Sequence, residues 1–306
     1  MKFRPPEIRI LYRLLAIAVL ALSLSNNLFA QEESAASLLT ITAKQGTLIW
    51  VDSLEYGAVS DSGELTVRNL RAGVHLVRAR LKGMREITQT IKLAADSQES
   101  IEVKFSAAAD EAEESFQIAE ELRERGEHEE AIKAYRKAIK LRPPTRHGYP
   151  AARLGLARSL TAKADYDRAL AEARLARREK SGPYPEVYIV MGNINRNAGY
   201  SENALDDYRK ALAQAGGLSP EAHTGIAIIY EDLQKPEEAI EHFRLAVAQA
   251  NDTEPIIYFL LGTALEREYR NKEAVEAYEK YMELAPGSTQ AISLKSVVRQ
   301  LKHEVR

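Results

Sequence analysis

The stretch that decides the fold is PEVYIVMGNINRNAGYSENALDDYRKALAQAG, residues 185–216. Pro185 suits the first turn of a helix, where its missing N–H would be unpaired anyway. Gly199 suits the left-handed residue that ends a helix. A second apolar stripe with helical spacing begins near Ser201. The stretch therefore predicts two helices joined by a tight turn, with apolar faces that the pair cannot bury alone.

The same pattern recurs every 35 residues. Four prolines hold one phase, namely Pro150, Pro185, Pro220 and Pro255. An alanine follows each of them 19 residues later, namely Ala169, Ala204, Ala239 and Ala274. An earlier copy runs from about Ala119 to Pro143. A period of about 20–50 residues is typical of a stacked solenoid.

These units resemble tetratricopeptide repeats, whose unit is a helix–turn–helix of about 34 residues. The closest matches are AIKAYRKAIKLRP (131–143) and AVEAYEKYMELAP (274–286). The resemblance implies five repeats over 112–287, and a final amphipathic segment, 288–306, is predicted to cap them. Three residues depart from the repeat pattern. Ala173 stands in place of the aromatic residue, Gln234 in place of the turn glycine and Tyr281 in place of the second alanine.

The repeat register also makes a packing prediction. Gly192 and Gly262 stand where Ala157 and Ala227 stand in other repeats. Small residues at this position are expected where two helices touch, so a bulky side chain there would overpack the interface.

Residues 38–105 have a different character, because short apolar runs alternate with Gly, Asp and Ser turns. They predict a small antiparallel β-sandwich. The predicted strands are 39–43, 48–51, 65–67, 74–81, 87–91 and 101–105, and 52–57 is predicted to be a turn region. In the predicted strand 74–81, Val74, Leu76 and Arg78 lie on one face, and the residues between them lie on the opposite face. Trp50, the only tryptophan, is expected in the β-core.

This region resembles a PEGA domain, a small β-domain common in bacterial envelope proteins. The resemblance depends on GTLIWVD (46–52), LRAGVHLVRARLKG (70–83) and IKL (91–93). Met84 stands where an aromatic residue usually follows the second glycine, and the family's threonine–proline step is missing.

The N-terminus predicts export. Basic residues precede the apolar run Leu14–Leu24, and a small residue, Ala30, precedes a polar stretch. This order is typical of a secretory signal peptide over 1–30, and the alternative is an uncleaved membrane anchor. Residues 31–37 are predicted to be a disordered tail and 106–111 a linker, with a helical extension of the first repeat helix as the alternative for the linker. The expected location is therefore periplasmic or extracellular, with membrane attachment only if the signal segment is retained.

Composition excludes several classes of function. The net charge of −2 and the pI near 6.4 argue against nucleic acid. The absence of cysteine excludes disulfides and thiolate chemistry. The six histidines show no metal-binding spacing on one helix, and His223 and His242 are expected to pack or to face solvent. No catalytic or phosphate-binding motif is present, so neither an enzyme nor a cofactor is expected.

In tetratricopeptide repeat proteins the first helices of the hairpins line a concave groove. The resemblance assigns twelve residues to this surface, namely Leu154, Arg158, Ile189, Asn193, Arg196, Asn197, Thr224, Ile228, Glu231, Phe259, Thr263 and Arg267. Ile189, Ile228 and Phe259 are expected to form an apolar row without a packing role. Ile189 stands where the family's carboxylate clamp needs a lysine, so a C-terminal carboxylate ligand is not expected.

Two functional hypotheses follow. The first is a non-enzymatic adaptor or scaffold of the bacterial cell envelope that binds a protein or peptide partner in the groove. The second is a structural protein whose β-domain docks on a cell-wall or surface polymer, with the repeats as a spacer.

Overall fold

The computed structural model describes residues 37–52, 54–70, 72–106, 110–142 and 148–304. The predicted signal peptide and most of the predicted tail lie outside these residues, as does part of the predicted linker. A β-domain is followed by an array of helices. Within the described part of the chain, no helix is long and apolar enough to cross a membrane.

The β-domain is a sandwich of two sheets with strand orders β4-β1-β7 and β3-β2-β5-β6. Its strands are β1 (Ser37–Thr42), β2 (Leu48–Val51), β3 (Leu54–Ala58), β4 (Glu64–Leu70), β5 (Gly73–Arg80), β6 (Ile87–Leu93) and β7 (Gln98–Glu102). Apolar side chains from both sheets fill the core between them, among them Leu39, Ile49, Val67 and Val77.

The sandwich differs from the sequence prediction at four places. β1 and β7 pair in parallel, whereas the other strand pairs are antiparallel. β3 occupies most of the predicted turn region 52–57, which was predicted as a turn because its Asp, Glu and Gly residues have the composition of one. β7 begins at Gln98 rather than at Ile101, since this edge strand is mostly exposed and polar. β1 begins at Ser37, so the last residue of the predicted disordered tail 31–37 is in a strand, where it is buried and its hydroxyl donates to the carbonyl of Ala94 at 2.6 Å.

Within the described residues from 110 onward, the helical part consists of five antiparallel hairpins and a final helix. The hairpins are α1 (Glu111–Glu124) with α2 (His128–Leu141), α3 (Pro150–Ala162) with α4 (Tyr166–Glu179), α5 (Pro185–Asn197) with α6 (Ser201–Gln214), α7 (Pro220–Asp232) with α8 (Pro236–Ala250), and α9 (Pro255–Arg267) with α10 (Asn271–Leu284). The final helix, α11 (Thr289–Glu304), buries Ala291, Leu294, Val298 and Leu301 against the last hairpin. The predicted solenoid and its cap are thus confirmed.

The turns inside the hairpins share one backbone conformation whatever residue occupies them. Gly199 has the predicted positive φ of 83°. Ala164, Gln234 and Tyr269 take the equivalent place with φ between 57° and 58°. The left-handed region costs a residue with a side chain roughly 1–2 kcal/mol. The missing turn glycine at Gln234 therefore leaves the turn unchanged, at a cost in local stability.

Glycines let the tyrosines of the second helices enter the helix interfaces. A Cβ on Gly192 would lie 2.7 Å from the Tyr208 ring, and one on Gly262 would lie 2.5 Å from the Tyr278 ring, which confirms the packing prediction. Tyr208 is fully buried and also meets Gly225 of the next hairpin, where a Cβ would lie 2.3 Å from the ring. Tyr208 is therefore held between α5 and α7.

The departure at Ala173 is compensated one hairpin later. Gly155 and Gly225 face the rings of Tyr135 and Tyr208 from the following hairpins. In the hairpin that follows Ala173, the position equivalent to these glycines is Val190. Both Val190 and Ala173 are buried. A larger residue therefore stands where the preceding repeat supplies no aromatic ring.

Candidate functional site

The β3-β2-β5-β6 sheet turns its outer face toward the first helices of the repeats. On β5 the buried residues are His75, Val77 and Ala79, whereas Val74 and Leu76 point outward, as the predicted alternation requires. Val74 and Leu76 share a cavity with residues of α5, α7 and α9. The β-domain therefore forms one wall of a site whose other wall is the helical array.

An ionic cluster attaches the β-domain to the first hairpin. Arg80 of β5 donates to Glu86 at 3.0 Å and to Glu120 of α1 at 3.2 Å. Glu120 also accepts from Arg123 at 3.0 Å and from the hydroxyl of Tyr135. Burial alone would raise the pKa of Glu120, but the charges of Arg123 and Arg80 lower it to about 2. Glu120 is therefore an ionised, buried link between the two domains.

Neighbouring contacts extend this attachment. The backbone N–H of Gly83 donates to Gln117 at 3.0 Å, and the Gln117 amide donates to the carbonyl of Met84. Trp50 is buried, but it lies on the outer face of its sheet, where Arg78 stacks 4.6 Å from its ring centroid. The expectation of Trp50 in the β-core is therefore wrong. The ring is buried among the arginines of the domain interface, because β2 turns this residue away from the core.

A second attachment lies near the other end of the array. The side chain of Asn251, in the turn after α8, donates to the backbone carbonyl of Arg68 at 2.6 Å. Asn251 has a left-handed backbone with φ of 53°. The β-domain thus contacts the first hairpin at Glu120 and the fourth hairpin at Asn251, and it bridges the concave side between them.

Between these attachments lies a cavity of about 900 Å³. Its apolar lining comes from both walls, namely Leu54, Val74 and Leu76 of the β-domain and Ile189, Leu218, Ile228 and Ile256 of the repeats. Val74, Leu76 and Ile256 are 67%, 47% and 43% exposed. Three apolar side chains with this exposure that face one cavity form a surface suited to an apolar ligand.

The charged groups of the cavity are mostly acidic. Glu186 is paired with Arg158 at 2.8 Å; burial opposes the ionised form, yet the Arg158 charge lowers the pKa of Glu186. Glu221 accepts a hydrogen bond from Asn193 at 3.0 Å. Burial raises the pKa of Glu221 and of Glu254. The charge of Arg158 partly offsets the effect of burial on Glu221. Among the described residues, neither Glu221 nor Glu254 forms an ion pair within 4.0 Å.

Five of the twelve predicted groove residues line the cavity, namely Ile189, Asn193, Arg196, Thr224 and Ile228. Arg158 lies beside it, paired with Glu186. The remaining accessible residues lie outside its lining: Asn197 is exposed, Glu231 and Arg267 pair at 2.8 Å, and Thr263 donates to the carbonyl of Phe259 at 3.0 Å. Leu154 is 1% exposed and belongs to the helical core, so its assignment to the groove surface is wrong.

The expected apolar row without a packing role is also wrong, because all three residues pack against the helical core, Ile228 and Phe259 as half-buried side chains. Ile189 is buried in the helical core. Phe259 packs against Tyr278 and Tyr281, with ring centroids 6.2 Å and 5.6 Å apart. The first helices of successive hairpins are packed closely enough to cover side chains that the repeat pattern assigns to the groove. Ile228 is half-buried and retains a side exposed to the cavity.

The sequence prediction missed the residues supplied by the β-domain and by the helix starts, namely Val74, Leu76, Glu221, Glu254 and Ile256. One signal for Val74 and Leu76 was present in the sequence. β5 carries apolar residues on both of its sides, which is typical of a strand covered on both faces.

Two histidines of the fourth hairpin, one on α7 and one on α8, form a pair. His223 and His242 approach each other with their Nδ1 atoms 2.9 Å apart. Burial lowers the pKa of both imidazoles. Within the described ranges, no group of three or more His, Cys, Asp or Glu side chains could hold a metal ion.

Comparison with known proteins identifies the helical part. Models of the tetratricopeptide repeat match residues 122–194, 190–255 and 256–288. No curated protein matches the chain. Among solved structures, a thermophilic TPR protein of Thermus thermophilus is 21% identical with a TM-score of 0.50, over 62% of this chain and 98% of its own. The pilF protein of Pseudomonas aeruginosa is 18% identical with a TM-score of 0.52, over 63% of this chain and 84% of its own.

Proposed function

Because this chain belongs to the tetratricopeptide repeat family through residues 122–288, and such repeats are typical of protein–protein interaction adaptors, we propose that it holds a segment of a partner protein between its repeats and its β-domain. The cavity of about 900 Å³ carries this proposal. Cavities that bind small ligands measure about 300–1,000 Å³, so the space suits a short peptide segment and excludes a folded domain. The proposed function is binding without catalysis, which is the general behaviour of tetratricopeptide repeat proteins.

The β-domain takes part in this binding as a wall of the site. The resemblance of residues 38–105 to a PEGA domain stays a prediction, since the matching family models begin at residue 122. The hypothesis of polymer docking receives no support from the described residues. The outer face of the β3-β2-β5-β6 sheet is turned toward the repeats, where an extended polymer would have no open surface.

The site of action in this proposal is the bacterial cell envelope, on the periplasmic or extracellular side. The basic and apolar order of residues 1–30 supports it. We expect the protein isolated from envelope fractions to lack these residues. Intact-mass measurement checks this expectation, and retention of Met1 in that fraction would replace secretion by membrane anchoring.

The binding proposal is tested by selection from a random library of displayed peptides. The purified protein is expected to enrich a set of peptides that the double variant Val74→Ser/Leu76→Ser does not retain. Hot-spot truncations often cost about 2 kcal/mol or more, so we expect affinity to fall at least tenfold. Both side chains are exposed, and the variant should keep its thermal midpoint.

A matched control replaces two exposed apolar residues outside the cavity, Leu245 of α8 and Ile292 of α11, with serine. This control should bind the enriched peptides as the unchanged protein does. Equal binding by the Val74/Leu76 variant, with its fold intact, would place the partner site elsewhere on the molecule.

A further inference from the structure

The charge of the cavity defines the partner more closely. We propose, on the basis of the proposed function, that the bound segment is apolar and carries a lysine or arginine side chain that is held by Glu221 and Glu254. Such a partner differs from an acidic C-terminus, for which the site lacks a suitable cluster of cations among the residues that the structure describes.

The acidic groups of the lining outnumber the basic ones. Asp52, Glu186, Glu221 and Glu254 line the cavity, and Arg196 is the cation among the lining residues that the structure describes. Two of the four acids are already used within the protein. Asp52 accepts from the backbone N–H of Leu76 at 2.9 Å and pairs with His75, and Glu186 pairs with Arg158.

Glu221 and Glu254 remain available to a ligand. Glu221 lies in the first turn of α7 and Glu254 lies immediately before α9, the next first helix. Glu221 is close enough for its charge to act on Glu254. Burial raises the pKa of Glu254, and the charges of Glu221 and Glu55 raise it further. A bound cation would relieve this repulsion, because opposite charges favour the ionised form.

The helix starts alone do not account for this arrangement. A carboxylate near a helix N-terminus is favourable in itself, but the side chain of Glu254 makes no capping hydrogen bond to α9. Glu221 faces the cavity and uses one carboxylate oxygen for Asn193. The apolar residues Ile228 and Ile256 lie on the same helices. They suit the alkyl stem of a lysine or arginine, whose charged end would then reach the two carboxylates.

Two independent comparisons test the inference. Peptides enriched by the unchanged protein should carry lysine or arginine beside apolar residues. In a synthetic member of the set with blocked termini, replacing the lysine with norleucine should weaken binding about tenfold. Raising the salt concentration from about 0.05 M to about 0.5 M should weaken the binding of the lysine peptide and leave the binding of the norleucine peptide unchanged.

The double variant Glu221→Gln/Glu254→Gln should lose the preference for lysine over norleucine. The charge-matched control Glu202→Gln/Glu276→Gln changes two exposed glutamates outside the cavity lining and should keep the preference. Enriched peptides without a cationic side chain, or a lysine preference that survives in the Glu221/Glu254 variant, would overturn the inference and leave the proposed function standing. Failure to enrich any peptide would overturn the proposed function itself.

Discussion

Replacing Gly225 with alanine is expected to lower the free energy of unfolding by about 2–3 kcal/mol, although glycine to alanine inside a helix normally stabilises by about 1 kcal/mol. The new methyl group would lie 2.3 Å from the ring of Tyr208. The ring is fully buried and meets Gly192 on its other side, so it has no direction in which to move. Urea denaturation measures the loss.

A double-mutant cycle isolates the cause. Tyr208→Leu removes the ring atoms that the methyl group of Gly225→Ala would meet. The loss of unfolding free energy in the Gly225→Ala/Tyr208→Leu variant should therefore be clearly smaller than the sum of the losses in the two single variants. Gly287→Ala is the control, since a Cβ there meets no atom within 4 Å, and its effect should stay within about 0.5 kcal/mol. Additive losses in the cycle would show that the ring is not held between α5 and α7.

Replacing Glu120 with alanine is expected to cost about 3 kcal/mol, the lower end of the range for breaking a buried ion pair. Arg80 and Arg123 would lose the carboxylate that they share, whereas Arg80 keeps Glu86 and both arginines keep Glu124. Arg80 and Arg123 both donate to Glu120, and their side chains are 11% and 26% exposed. The hydroxyl of Tyr135 would lose its acceptor as well. Denaturant unfolding measures the cost. Glu121→Ala is the matched control, since Glu121 pairs with the exposed Lys82 and should contribute less than about 1 kcal/mol.

Acid titration provides a second measurement of Glu120. Its pKa in the folded protein is about 2, below the ordinary value of 4.5. Its contribution is therefore fully present above pH 4.5 and is lost as the pH falls from 4.5 toward 2. The variant Glu120→Gln should show a shallower loss of stability in that window. An unchanged acid slope, or an effect of Glu120→Ala no larger than that of the control, would contradict the assignment of Glu120 as the link.

The sequence was sufficient to predict the helical part because each of its interactions is local. The phase of the prolines, from Pro150 to Pro255, places every first helix after the first hairpin, and the small residues at Gly192 and Gly262 mark the contacts within hairpins. These signals recur from repeat to repeat, and each time they predict the same pair of helices. In the β-domain the alternation along β5 predicted which side is buried, whereas β7 was displaced because a polar edge strand carries little hydrophobic pattern.

The candidate site was predicted only in part, because it depends on how two domains meet. The hydrogen bond from Asn251 to Arg68 joins residues 183 positions apart, and no local pattern encodes such a contact. The groove residues nearest the middle of the array, such as Asn193 and Ile228, do line the cavity. The opposite wall at Val74 and Leu76 could not be assigned without knowing that the sheet covers the repeats.

The two attachments at Glu120 and Asn251 change how the array can lose its structure. In an open solenoid each repeat contacts only its neighbours. The two ends can therefore unfold independently, and the superhelix can change its length. Here the β-domain ties the first hairpin to the fourth and closes a ring. Hairpins at opposite ends of this ring become partners in one cooperative unit, and their amide protons are expected to exchange with solvent together. The pitch of the superhelix is then set by the β-domain as well as by the interfaces between repeats.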